Sequence, residues 1–461
     1  MDTIWKVRSE CFNEAVKIQA KYKALAFLIE EAISSGELKH NQKLPAQRWL
    51  ADELGVTHGT VTRAYQLAEK RGVVKAKLGA GTFVTAQTIT LPDNLDVDFA
   101  SSMQPMMGQQ AILAQTMKEL AEDNNALSQI LTYSIDGIAK HKKIFSHWLK
   151  DRGIANKADE LIFLQGAQQG VFSCLQILTE PGDLVLHEAL CYPGFYRAAE
   201  ASRLKTQALA VTNEGIDLAQ LEDICKNFSP KVLYITPNNQ NPTNVKYSEQ
   251  QLDKILALSR QYQFFIIEDD VNYCLPDNWR LPLQQKAPDR VFYISSLSKY
   301  FAGGLRVGYL LAPVLFQQVL KQNVHSQCWM VSTMNFELAS RFIQSDNYKF
   351  NQEKLAKELT YRQQAFKKVF DKNNIAARFG GLNIWLELPE HINMHQLNGL
   401  LLANKVKVRT ADSFLSKGSS LNFNGIRISL GGPNSRALFD KGVNIMDSVF
   451  MQLQNNNDVV I

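Results

Sequence analysis

Val291-Phe-Tyr-Ile-Ser-Ser-Leu-Ser-Lys299-Tyr-Phe-Ala-Gly-Gly-Leu-Arg306-Val-Gly308 is the stretch on which the reading of this chain turns. Val291 to Ile294 is β-branched and aromatic, the pattern of a buried strand. A hydroxyl-rich turn follows, then one lysine, a glycine pair and one arginine. A lysine just past a buried strand end can sit in a poorly hydrated cleft. Desolvation disfavours its ammonium form and lowers its pKa. The neutral amine is a nucleophile toward an aldehyde, the starting condition for a Schiff base. Ser296, Ser298 and Arg306 could converge on a phosphate, with the arginine as a fork donor. A surface lysine after a core strand is the plain alternative, so the motif needs support from the rest of the chain.

That support comes from the segments around it. Leu161-Ile-Phe-Leu164, Leu184-Val-Leu186, Val232-Leu-Tyr-Ile235 and Phe264-Phe-Ile-Ile267 read as strands. Helices are expected at 167–178, 194–202 and 248–262. Near-continuous apolar strands alternating with helices indicate a mostly parallel sheet covered on both faces. Ligands of such sheets bind beyond the carboxyl ends of the strands. Four further groups fall at strand ends. Gln165-Gly166-Ala167-Gln168 lies where a strand meets a helix, a place that suits a phosphate. Tyr192 could stack on a flat ring, and Asn241, in Asn-Pro-Thr, could donate to a phenolate oxygen. Glu268-Asp269-Asp270 places a carboxylate where it could pair with a protonated ring nitrogen. Past Lys349, a helix at 353–371 and runs at Leu382–Leu386 and Gly425–Ser429 suggest a smaller α+β domain.

The N-terminal part follows a different pattern. Leu25, Leu28, Ile29, Ala32 and Ile33 form a helical stripe within 21–35 that Gly36 ends. A short helix at 46–54 and a turn lead to a third helix at 58–71, capped by Thr57 and closed by Gly72. Val73-Val74 and Thr82-Phe-Val84 flank Gly79-Ala-Gly81 as a hairpin. Helix, helix, turn, helix and wing describe a winged helix-turn-helix, whose third helix would enter a major groove. Residues 1–86 carry 13 Lys and Arg against 9 Asp and Glu, so four of the chain's net +5 lie in its first fifth. This asymmetry points to a basic module that meets an anion.

Length and composition set the frame. A chain of 461 residues exceeds one typical core. Six scattered cysteines without a C-x-x-C pair fit a reducing cytosol rather than a disulfide framework or zinc site, and no metal is expected. The N-terminus lacks the apolar run of a signal peptide, and no apolar stretch is long enough to span a bilayer, so a cytoplasmic protein is expected.

Two resemblances sharpen this reading. Leu44-Pro, Arg48-x-Leu-Ala, Leu54-Gly-Val-Thr57, Thr60-Val-x-Arg63-Ala-Tyr65 and Gly79-x-Gly81-Thr-Phe-Val84 resemble the GntR family of bacterial regulators. The resemblance implies DNA contacts from Arg48, Thr57, His58, Thr60, Thr62 and Arg63; His58 and Gly59 depart from the usual Arg and bulkier residue. From about residue 99 on, the chain resembles fold-type I aminotransferases. That resemblance implies pyridoxal 5'-phosphate (PLP), with Lys299 forming the internal aldimine and Asp269 pairing the pyridine nitrogen. Asn241 would bind the ring oxygen and Tyr192 stack. Gly166, Ala167, Gln168, Ser296, Ser298 and Arg306 would hold the phosphate. Tyr133 resembles a tyrosine lent to the neighbouring subunit's phosphate, which implies a homodimer, and Arg427 resembles the arginine that grips a substrate carboxylate. Three departures stand out. The usual tyrosine two or three residues past the aspartate is replaced by Val271 and Asn272, with Tyr273 one further. The usual glycine after Pro-Thr is Asn244. The usual proline after the lysine gives way to Ala302-Gly303-Gly304.

The fold class that follows is multi-domain. A winged helix-turn-helix spans 1–86, a linker 87–98, and an α/β aminotransferase-like domain 99–461, its small subdomain beginning at about 350. This combination resembles the MocR subfamily of GntR-type regulators. It implies a PLP-dependent DNA-binding regulator whose aminotransferase-like domain senses PLP or an amino compound at Lys299. A working class I/II aminotransferase with an accessory winged helix is the alternative, and a PLP-free interaction protein on an old enzyme scaffold a third.

Overall fold

The computed structural model describes residues 5–34, 37–71, 73–85, 96–417, 419 and 421–457. Gly36 and Gly72, expected to end helices, residue 86 and linker residues 87–95 lie outside these. The chain divides into two compact units: Met1–Leu95 with Met106–Asn124, and Asp96–Pro105 with Asn125–Ile461.

The N-terminal part of the first unit has the helices α1 (Ser9–Ile18), α2 (Lys21–Ser34), α3 (Gln47–Glu53) and α4 (His58–Lys70), and Met106–Asn124 adds the helix Gln109–Ala121. The expected stripes point inward: Leu25, Ile29, Leu50, Val61, Ala64 and Tyr65 are buried together. The Tyr65 hydroxyl donates to Pro45 O at 2.8 Å, which gives the buried phenol its partner. Thr57 caps α4, its Oγ1 accepting from Thr60 N at 3.3 Å. The wing pairs β1 (Val74–Lys77) with β2 (Gly81–Val84) in antiparallel register, Lys77 opposite Gly81. Gly79 and Gly81 take positive φ at its tip, where a side chain would be strained.

The second unit holds the strands β3 (Val97–Asp98), β4 (Ile162–Leu164), β5 (Leu184–Glu188), β6 (Lys205–Leu209), β7 (Val211–Thr212) and β8 (Gly215–Ile216). They continue as β9 (Val232–Ile235), β10 (Phe265–Asp269), β11 (Val291–Ser296) and β12 (Gly308–Leu311). β13 (Ala376–Phe379), β14 (Asn383–Glu387), β15 (Val406–Lys407), β16 (Arg409–Thr410) and β17 (Gly425–Ser429) complete the set. The main sheet has the order β4-β12-β11-β10-β9-β5-β6, parallel except where β12 runs against both neighbours. Alternate residues feed the two faces: Val232 and Tyr234 join one core, Leu233 and Ile235 the other. Hydrophobic burial on both faces is what makes these strands read as unbroken apolar runs.

Two strands run further than their apolar residues suggest. The ladder carries β10 on to Asp269 opposite Ile294, and β11 on to Ser296 opposite Gly308. Polar groups are thereby fixed on strand backbone at the rim of the sheet. Val97 and Asp98, expected as the end of a linker, instead pair in parallel with Val406 and Lys407. Burial of Val97 and the bonds from Val97 N and Phe99 N to the Lys405 and Lys407 carbonyls, both 2.8 Å, account for the difference. The smaller sheet, β13-β14-β17-β16, is antiparallel throughout, and the helices Asp346–Lys372, Met394–Ala403 and Arg436–Asn457 belong to the same region.

Candidate functional site

β11 ends at Ser296, whose Oγ accepts from Ser298 N at 3.3 Å and opens a single 3-10 turn, Leu297–Lys299. With Leu297 and Tyr300 buried on either side, the turn leaves Lys299 half-buried at the sheet's carboxyl rim. Its Nζ donates to Ser102 O, and its carbonyl accepts from Gln104 Nε2 at 2.7 Å. Burial pushes the Lys299 ammonium down to about 8; Arg427 and Arg306 push the same way, and Asp269 opposes them.

The three acids after β10 separate by what they touch. Glu268 accepts from the amides of Leu283 and Gln284 at 2.8 and 3.0 Å, which ties down a loop. Asp270 accepts from Asn238 Nδ2 and the Tyr293 hydroxyl at 3.1 and 2.9 Å. Asp269, on the opposite face, accepts from the Tyr234 hydroxyl at 2.6 Å and from Val271 N at 3.3 Å. Burial raises the Asp269 carboxyl to about 6, so it is still mostly ionised at neutral pH. Tyr234 was not singled out from the sequence because it reads as one more apolar strand residue. Its place on the face shared with the residue at 269 is the signal that could have found it.

Gly166 opens the helix Ala167–Leu178 with φ +83°, and a Cβ there would collide with the Arg306 guanidinium. A Cβ at Gly308 would come within 2.8 Å of the Gly166 backbone. The two glycines let the β4 turn, β12 and Arg306 close up around the helix N-terminus. The amides of Ala167 and Gln168 there have no intrahelical acceptors by position. Arg306 itself takes φ +53° and reaches Gly303 O and Gln165 O at 3.3 and 3.5 Å. Gln168 Nε2 donates to Gly194 O at 2.8 Å, while its Oε1 is buried without a partner. Tyr192, half-buried, precedes the helix Pro193–Ala201, and burial raises its phenol with a further push from Asp269.

Arg427 on β17 donates from Nη1 to Asn241 Oδ1 at 2.9 Å and from Nη2 to Ala100 O at 2.8 Å. Its guanidinium lies 5.0 Å from the Phe414 ring centroid, and its Nε is buried without a partner. Burial and Arg409 bring its pKa down to about 10. The structure thus places Lys299, Arg427 and Asn241 in one connected cluster with the backbone of Ala100–Gln104, a segment absent from the sequence reading. Tyr133 does not join it: its side chain is 82% exposed. The three departures also find their places. Tyr273 is buried against Tyr300, ring centroids 5.2 Å apart, and Asn272 donates to Asn239 O at 2.8 Å. Asn244 takes the positive φ that glycine would, and its amide donates to Arg378 O and Asn383 O. Gly303–Leu305 forms a short 3-10 turn that leads into Arg306.

In the first unit Arg48, Thr57, His58 and Arg63 are exposed. Thr60 is bonded to Thr57, and the Thr62 hydroxyl donates to Gln47 Oε1 at 2.8 Å, which braces α3 against α4. The wing adds exposed Lys75 and Lys77, which sequence reasoning did not single out.

The model of the aminotransferase class I and II family matches residues 96–437. The chain belongs to that family. The model of the gntR family of bacterial regulatory proteins matches residues 21–84, which gives the composite architecture of the MocR type. The uncharacterized HTH-type transcriptional regulator YdeF of Bacillus subtilis is 27% identical, over 92% of this chain and 93% of its own. The HTH-type transcriptional regulator TauR of Rhodobacter capsulatus is 25% identical, over 84% and 88%. Among solved structures, the α-aminoadipate aminotransferase LysN of Thermus thermophilus shares the fold at a TM-score of 0.69 and 22% identity, over 78% of this chain and 93% of that one.

The residues present fit the family's cofactor, PLP. A cationic cradle with a helix N-terminus suits a phosphate, an ionised buried carboxylate suits a pyridine nitrogen, and Lys299 has the lowered pKa a nucleophilic amine needs. Among the described residues no helix is long and apolar enough to cross a membrane.

Proposed function

We propose that this protein is a PLP-dependent transcription regulator that binds operator DNA through its winged helix and an amino compound through its aminotransferase-like domain. The observation that carries the reading is Lys299 held beside Arg427 and Ser102, with its amine brought down to about 8, in a chain that also has a gntR module. When bound, PLP supplies an aldehyde that condenses with a primary amine and a ring that draws electrons from the carbon beside it. Everything else is the work of this chain. Ser296, Ser298, Arg306 and the amides of Ala167 and Gln168 bind the phosphate, with Gly166 leaving room for it. The Asp269 carboxylate, fixed by Tyr234, keeps a proton on the ring nitrogen. Tyr192 covers the ring face and the Asn241 amide meets its oxygen. Lys299 Nζ is the nucleophile and Arg427 holds the effector's carboxylate. Tyr133, exposed in its own chain, completes the phosphate site of a second copy, so the unit is a homodimer in solution; light scattering that finds a monomer at working concentration would remove this part.

The Lys299 environment has a signed pH consequence. The link to PLP needs the neutral amine, so its rate of formation is expected to climb with pH and level off above about pH 8. Arg427→Ala removes a cation that lowers the pKa and should move the midpoint up. Asp269→Asn removes the anion that raises it and should move the midpoint down. Stopped-flow absorbance across pH reads both; variants that shift the midpoint in the same direction contradict the assignment.

On the DNA side, Arg48 and Arg63 are exposed on α3 and α4 and face the phosphates or base edges. Losing one phosphate contact should weaken binding across all sequences and flatten the salt slope by about one unit. Unchanged affinity and slope for Arg48→Ala and Arg63→Ala would sink the assignment. A gel-shift assay on the DNA upstream of the gene, with and without PLP, tests the regulator reading as a whole. The near-complete set of Lys299, Asp269 and Arg427 favours a second reading, a working aminotransferase; rapid turnover with 2-oxoglutarate and no sequence-specific DNA binding would put that reading first.

A further inference from the structure

Strand register lines up four side chains in one row across the smaller sheet. Arg378 stands opposite Trp385, Trp385 opposite Arg427, and Arg427 opposite Arg409. Directly paired residues of an antiparallel sheet share a face, with Cβ atoms about 4.5–5.5 Å apart. The row therefore sets three arginines on the face that carries Arg427.

The three are satisfied to different degrees. Arg378 donates to Thr243 O at 3.2 Å and Asn213 Oδ1 at 2.7 Å, and Glu387 lies 3.5 Å away. Arg427 has acceptors for both terminal nitrogens, but its Nε is buried and unpartnered in a side chain more than nine-tenths buried. Arg409 is exposed, and no described residue accepts a hydrogen bond from it or forms an ion pair with it. The acids nearby are committed elsewhere. Asp98 accepts from the amides of Ala100 and Ser101, and Asp412 accepts from the Thr410 hydroxyl with His395 3.9 Å away. Like charges directly opposite one another destabilise a sheet unless a counter-charge joins them. Burial first, and then the charge of Arg409, lower the pKa of Arg427. The charges of the site also leave a remainder. A phosphate answers Arg306, a ring nitrogen answers Asp269, and one carboxylate answers Arg427. Arg409 is left over.

We propose that Arg409 is a specificity-determining residue: with Arg427 it seats an amino compound carrying two acid groups, or the corresponding oxo acid. The first carboxylate meets the buried Nε of Arg427, and the second meets the fork of Arg409 across the strand pair. An amino compound with a neutral side chain leaves Arg409 unanswered and binds more weakly. This inference rests on the carboxylate role of Arg427 set out above and adds the class of ligand to it.

The test uses isosteric pairs on the full-length, PLP-loaded protein. Calorimetric Kd values are compared for L-glutamate against L-glutamine and L-aspartate against L-asparagine. One diacid is expected to bind at least about tenfold more tightly than its amide, the scale of one hydrogen-bonded charge. In Arg409→Gln that ratio is expected to fall to near one through loss of diacid affinity, while the cofactor absorbance band persists. Equal Kd values within both pairs in the wild type, or a preference that survives Arg409→Gln, overturns the inference. A protein that takes up no cofactor defeats the PLP reading alone, because 2-oxoglutarate against 2-oxopentanoate on the cofactor-free protein still reads the arginine pair. No difference there overturns this inference as well.

Discussion

Lys299→Ala is expected to abolish the borohydride-reducible absorbance band of the purified protein while leaving the fold intact. The substitution removes the only amine that the structure holds at the rim of β11 beside Asp269, Arg306 and Arg427 among the described residues. It costs little in packing. Nζ is bonded to a backbone carbonyl, Ser102 O, and the turn itself is kept by Ser296 Oγ and by the burial of Leu297 and Tyr300. The carbonyl of residue 299 still accepts from Gln104 in the variant, since that bond does not involve the side chain. PLP can still enter the cradle, so the variant is expected to retain weak, dialysable binding with no reducible link. Borohydride reduction followed by peptide mass spectrometry decides it: a phosphopyridoxyl mass on another lysine, at wild-type yield, would falsify the assignment. The effect is all-or-none, which sets it apart from the graded losses expected for Ser298 or Asn241.

Much of this site was legible in the sequence because its parts sit at strand ends, and strand ends are marked by where apolar runs stop. The helix Ala167–Leu178 and the strands Val232–Ile235 and Gly425–Ser429 fall where periodicity puts them. What periodicity cannot show is how far a ladder continues through polar residues. β10 and β11 each extend two residues past their apolar run because neighbouring backbone is there to pair with them. β6 escaped notice since Lys205 and Thr206 are exposed on an edge strand, where nothing selects for apolar side chains. The Arg378–Trp385–Arg427–Arg409 row is likewise invisible along the chain, because it is set by register among four strands. The segment Ala100–Gln104 carries no motif; Ala100 and Ser102 contribute through backbone carbonyls, which leave no trace in residue type, and Gln104 adds one side-chain bond to the Lys299 carbonyl.

That segment supports the prediction with the second-largest effect: the state of the cofactor site and the affinity for operator DNA are expected to be coupled, by about 5–150-fold. Ser102 O accepts from Lys299 Nζ and Ala100 O accepts from Arg427 Nη2. Linking PLP at Nζ takes the amine away from Ser102, and an effector carboxylate at Arg427 competes with Ala100. Other anchors stay in place: Asp98 Oδ1 accepts from Ala100 N and Ser101 N at 2.8 and 3.0 Å, Gln104 Nε2 donates to Lys299 O at 2.7 Å, and Ser429 Oγ reaches Ala100 O at 3.5 Å. Loading is therefore expected to change amide exchange within 100–104 more than in the strands of the main sheet. In sequence this segment lies just past the stretch that joins the gntR module to the rest of the chain, and the expected coupling leaves Arg48 and Arg63 themselves untouched. A ligand moves such an equilibrium only by as much as it binds the two states differently. Reciprocity then supplies the decisive comparison. If PLP or its combination with the effector tightens operator binding by some factor, operator must tighten that ligand by the same factor. Titrating PLP with and without operator DNA, and operator with and without PLP, gives both factors. Equal ligand affinity in both titrations, with unchanged exchange at 100–104, would show that the cofactor site works independently of DNA and would leave the aminotransferase reading ahead.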